Sequence, residues 1–60
     1  MARLLVVDDE EKIRLIIKKY AEFEGHEIKE ASDGIEAIEM CKKEDFDLII
    51  FFIVPLINVF

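Results

Sequence analysis

Cysteine and proline occur once each in these 60 residues, and glycine twice. The lone Cys41 excludes an intramolecular disulfide, and no cysteine pair or histidine cluster offers a structural zinc site. With so little proline and glycine there is no linker and no low-complexity stretch, so residues 1–60 read as one unit. Positive charge is scarce as well, with 8 Lys and Arg against 14 Asp and Glu and a formal net charge of -6. That balance argues against nucleic acid or an anionic membrane as partner. No basic and apolar leader follows Met1, so the expected setting is a reducing cytoplasm. After Asp47 charge is missing altogether. The run from Leu48 to Phe60, interrupted by Pro55 and Asn58, falls short of the roughly 20 apolar residues a spanning helix needs and reads as buried strand.

What is present alternates in type. Arg3 to Val7 (RLLVV) predicts a strand buried on both faces. From Glu10 to Glu24 the residues Ile13, Ile16, Ile17, Tyr20 and Phe23 recur at helical steps, with Asp9 as candidate cap, Lys18 and Lys19 toward the negative end of the dipole, and Gly25 as the left-handed stop. His26 to Ala31 predicts a weaker, edge-type strand. Asp33 and Glu36 make a capping-box start for a second helix carrying Ile35, Ala37, Ile38 and Cys41 and closing at Lys42 and Lys43. Asp45 to Val54 holds the third strand. The order β-α-β-α-β implies parallel pairing through right-handed crossovers, as in the opening half of a doubly wound α/β fold.

Two adjacent acids, Asp8 and Asp9, end the first strand, at the edge of an open α/β sheet where ligands bind. Together they offer the oxygen-only surface that Mg²⁺ prefers, although such acids also serve simply as helix caps. The blocks LLVVDDEEKIR, EFEGHEI, EASDGIEAIEM and DFDLII occur in that order. Jointly they resemble the receiver domain of bacterial two-component response regulators, of the chemotaxis-regulator type, from about Arg3 to Ile50. The resemblance implies a flavodoxin-like half with a parallel three-stranded sheet in the order 2-1-3. It also implies that Asp8 and Asp9 match acids that help hold Mg²⁺.

The family's phosphoacceptor is an aspartate at the carboxyl end of the third strand, phosphorylated by a histidine kinase. Here that slot falls on Phe52 counting forward from Asp47, or on Phe51 counting back from Pro55. A phenyl ring has no lone pair with which to attack phosphorus or ligate a metal. Asp47 cannot substitute, because at about 3.3 Å per residue it lies roughly 16 Å from position 52. The family's later hydroxyl and lysine positions have no counterpart in the sequence. The expectation is therefore a non-enzyme that requires no cofactor and binds Mg²⁺ weakly at most, either a natural remnant or a redesigned receiver.

The stretch from Leu48 to Phe60 carries eleven large apolar side chains. Burying even half of them contributes about 8 to 16 kcal/mol, against a cost of about 4 to 15 kcal/mol for association. Two helices cannot cover them all, so the sheet is expected to be completed by dimerisation. The expected homodimer interface is Leu48, Ile50, Phe51, Phe52, Ile53, Val54, Leu56, Ile57, Val59 and Phe60. Alternative partners are a complementary receiver chain or a histidine kinase. His26 reads as an ordinary strand-start residue, and Cys41 as a buried, inert thiol on the inner face of the second helix.

Overall fold

A computed structural model describes residues 1–52. The elements are β1 (Arg3–Val7), α1 (Glu11–Phe23), β2 (Glu27–Ala31), α2 (Gly34–Lys43) and β3 (Leu48–Phe51). The strands form a parallel sheet in the order β2-β1-β3, with Val7 opposite Ala31 on one side and Phe51 on the other. The third strand, expected over Asp45 to Val54, is Leu48–Phe51 among the described residues, and its expected positions Ile53 and Val54 lie outside them. The expected interface positions from Ile53 onward lie outside them, as does Pro55.

The central position of β1 explains its composition. Leu4 and Val6 pack with Ala21, Ile28, Ile17 and Ile50 on the α1 side, while Leu5 and Val7 pack with Ala31, Ala37, Met40 and Phe46 on the α2 side. Because both faces are covered, an alternating strand would bury polar groups, and a continuous apolar run is what the fold requires.

Helix α1 starts one residue later than the sequence suggests. Its N-cap is Glu10, which makes no side-chain capping bond, and Asp8 rather than Asp9 orders the turn by accepting the Glu10 amide at 3.1 Å through Oδ1. The exit follows expectation. Gly25 has φ 87°, its amide donates to the Glu22 carbonyl at 3.0 Å, and the His26 amide donates to the Ala21 carbonyl at 2.9 Å, which satisfies the last-turn acceptors. The last turn itself carries no basic residue. Lys18 instead reaches Glu30 at 3.7 Å. The small Ala21 lets the helix approach the sheet along the Ile17 and Ala21 line. Ile16, Tyr20 and Phe23 on the adjoining line remain 62, 72 and 87% exposed.

At the start of α2, Asp33 accepts the Glu36 amide at 2.8 Å, and Glu36 answers one residue further back than a standard box, accepting the Ser32 amide at 2.7 Å and its hydroxyl at 2.8 Å. These donors, the Ser32 amide first, hold the Glu36 carboxyl below its ordinary 4.5. A lowered folded pKa means the stabilisation is complete above pH 4.5 and is lost as pH falls through the folded value. Glu36→Ala should therefore lower the denaturation midpoint at neutral pH and flatten its decline in acid. Parallel midpoint-versus-pH curves for the two proteins would contradict this.

Cys41 corrects the sequence reading, because it is exposed. Helix α2 meets the sheet through Ala37 and Met40. The next residue round the helix turns toward β3, where Cys41, Ile38, Ile49 and Phe51 line an open cleft of about 350 Å³. Ile35 and Ile38, expected on the inner face, are 77 and 60% exposed. The helix covers β1 and β2 but leaves β3 bare.

At the amino ends of the strands Arg3 ties the elements together. Its guanidinium donates to Glu44 at 2.5 Å, to the Asp45 carbonyl at 3.0 Å and to Glu27 at 3.4 Å. Glu44 also accepts from Lys29 at 3.1 Å, and the Lys29 bond, ahead of Arg3, holds its carboxyl below the usual range. Asp47 accepts the Arg3 amide at 2.7 Å, which fixes it at the far end of the sheet from Asp8.

Candidate functional site

The carboxyl ends of the three parallel strands open on a single cleft of about 350 Å³. Parallel strands deliver their following loops to the same edge, so the β1–α1 turn contributes Asp8 and Asp9, the β2–α2 turn contributes Ser32, Asp33 and Gly34, and β3 contributes Phe51 and Phe52. The sequence blocks associate the acids with the end of the third strand but do not by themselves point to the β2–α2 turn. The signal was available, since a parallel sheet must place the SDG turn beside DD.

Asp8 is the most constrained member. It is 5% exposed. Its amide donates to the Ala31 carbonyl at 3.1 Å, its own carbonyl accepts from Arg14 Nη1 at 2.6 Å, and its Oδ1 takes the Glu10 amide. Arg14 Nε in turn donates to Glu30 at 3.1 Å, so the guanidinium clamps α1 to the end of β2. Asp8 Oδ2 is buried without a hydrogen-bond partner among the described residues. A buried carboxylate oxygen left unmatched is costly, and it marks a place where a donor or cation would be stabilising. Asp9 is exposed beside it.

Phe51 pairs with Val7, and the Phe52 amide continues the ladder by donating to the Val7 carbonyl at 3.0 Å. Phe51 and Phe52 therefore both border the cleft beside Asp8 and Asp9. The fit to Mg²⁺ is partial. Asp8 and Asp9 are hard oxygen donors, but among the described residues no three His, Cys, Asp or Glu side chains are grouped so as to hold a metal ion. His26 takes a structural role, its Nδ1 accepting the Ala2 amide at 3.1 Å.

The model of the response regulator receiver domain matches residues 4–53. The chain belongs to that family. The transcriptional regulatory protein SrrA of Staphylococcus aureus is 45% identical over 47 residues, covering 78% of this chain and 20% of SrrA. The structure of the chemotaxis protein CheY4 of Vibrio cholerae superposes with a TM-score of 0.78 at 39% identity, over 82% of this chain and 41% of that one. This receiver thus spans about a fifth of the curated relatives' length, and its β2-β1-β3 sheet with two helices is the flavodoxin-like half expected from the sequence. Among its described residues no helix is long and apolar enough to cross a membrane.

Proposed function

We propose that this receiver-family chain takes no phosphoryl group at β3 and instead self-associates through that strand, as a non-enzymatic module. The observation that carries the first half is the pair Phe51 and Phe52 at the cleft, where the family's acceptor carboxylate is expected from the sequence blocks. Carbon in place of a carboxylate removes both the nucleophile and a metal ligand. Mg²⁺ binding by Asp8 and Asp9 is then weak, about millimolar, and no cofactor is required. The second half is supported by the bare edge of β3, whose Leu48, Phe51 and Phe52 are 55, 55 and 47% exposed. A single exposed thiol suits a reducing cytoplasm.

A different reading is favoured by the outward line Ile16, Tyr20 and Phe23 on α1, which pairing along the β3 edge does not cover. It makes the partner a complementary receiver-type chain or a histidine kinase. The phosphotransfer half is tested by incubating the chain with a small-molecule acyl phosphate and Mg²⁺ and measuring its intact mass. The expected mass is unchanged. A stoichiometric gain of one phosphoryl group would refute the reading.

A further inference from the structure

We infer that two copies of this chain join their β3 strands antiparallel about a two-fold axis at Ile50, with Ile49 of each opposite the partner's Phe51, so that two three-stranded sheets become one. The inference rests on the self-association proposed above and gives it a direction and a register.

The inner edge of β3 is taken by β1, and among the described residues no strand lies beside its outer edge. The Phe52 amide donates inward, to the Val7 carbonyl at 3.0 Å. Successive residues of a strand direct their amide and carbonyl to opposite edges, so Ile50 also faces β1 while Ile49 and Phe51 offer theirs outward. Asp47 would be next in the outward series, but its amide is drawn to the Arg3 carbonyl at 2.7 Å, which closes the row at its amino end.

Two equivalent copies must present this same edge to each other. In a parallel pair each residue bonds to the neighbours of the one opposite, which staggers the strands by one position, so two copies paired that way would not be equivalent and the contact would not close on a two-fold axis. An antiparallel pair sets them symmetrically. With Ile49 opposite the partner's Phe51, and Phe51 opposite the partner's Ile49, each pair exchanges two N–H···O bonds and every outward group of Ile49 and Phe51 is satisfied. A register centred on Ile49 would need the Asp47 amide that Arg3 already holds. One centred on Phe51 would pair Ile49 only with a residue outside those described. The side chains fit as well, because Ile49 and Phe51, 39 and 55% exposed, share the α2 side of the sheet and would cover each other across the pair. Charge favours the same direction. Asp8, Asp9 and Asp33 gather at the carboxyl ends of the strands, and in a chain of net charge -6 the antiparallel arrangement sends the two clusters to opposite ends instead of side by side.

The test is disulfide trapping in a Cys41→Ser chain, with Ile49→Cys and Phe51→Cys made separately and their masses first measured by light scattering under reducing conditions. When the two are refolded together and oxidised, Ile49→Cys should join Phe51→Cys about tenfold faster than either joins its own kind. Opposed residues would stand about 5.5 Å apart at Cα and like residues roughly 8 to 9 Å, beyond what a disulfide spans without backbone movement. Should a cysteine variant fail to fold, the wild-type chain supplies a second measurement. In a one-to-one mixture of isotope-labelled and unlabelled protein, filtered NMR should show an intermolecular Hα–Hα contact at Ile50, the non-hydrogen-bonded pair whose Cα atoms would lie about 4.5 Å apart. A dimer in which Ile49→Cys joins itself as fast as it joins Phe51→Cys, or one without the Ile50 contact, would overturn the direction and register while self-association stands. A folded wild-type monomer at micromolar concentration would remove both.

Discussion

Leu5→Ala is expected to leave the chain largely unfolded in dilute buffer. Leu5 is 0% exposed and forms the centre of the cluster that joins β1 to α2 through Val7, Ala31 and Ala37. Two of those neighbours are alanines, which cannot extend into the space, and Met40 and Phe46 at the edge of the cluster can fill only part of it. Truncating a buried leucine costs about 2 to 5 kcal/mol. A chain of this length has about 3 to 9 kcal/mol in total at the usual stability per residue, so a loss of this size is comparable with the whole. Ile16→Ala provides the contrast. At 62% exposure it should change stability by no more than about 0.5 kcal/mol. Urea unfolding followed by far-ultraviolet circular dichroism measures both. Equal midpoints for the two variants would show that the β1–α2 layer is not the core described.

The second large effect concerns assembly. Light scattering should report twice the monomer mass for the wild-type chain at micromolar concentration, and the monomer mass for the double variant Ile49→Lys with Phe51→Lys. Both side chains lie on the α2 side of β3, 39 and 55% exposed, and line the cleft with Ile38 and Cys41. Long lysine stems can rest on the apolar surface with their charges in water, so the folded protomer tolerates them. A partner strand brought alongside would desolvate those charges and oppose like charges across the pair, and edge lysines are a natural means of blocking strand pairing. Ile16→Lys on α1 serves as control and should retain the dimer. A double variant that keeps the dimer mass, or a folded wild-type monomer at micromolar concentration, would remove β3 as the interface.

The two experiments separate interior from surface, and they depend on features of different legibility. Much of the architecture could be read directly. RLLVV is too continuously apolar for a half-exposed strand, Gly25 stops α1 by a backbone conformation few other residues adopt, and Asp33 with Glu36 starts α2 by hydrogen bonds local in sequence. Each of these signals is short-range, so spacing alone carries it. The quoted blocks also sufficed for the receiver family, which the match over residues 4–53 established.

What helical periodicity could not reveal was which apolar residues would find a partner. Ile16, Tyr20, Phe23, Ile35, Ile38 and Cys41 have the spacing of inward-facing residues, yet all are exposed. Burial depends on where each helix meets the sheet, and the small residues Ala21 and Ala37 set that contact by allowing the closest approach. Similarly, the sequence identified Asp8 and Asp9 as a pair of equals, one of them a helix cap. Only the tertiary structure separated them, burying Asp8 with an unmatched oxygen while Asp9 stays in solvent. Local spacing determined the elements and their order. The crossing of helices over a three-stranded parallel sheet decided which side chains are core, which line the cleft with the β2–α2 turn, and which remain open to a partner.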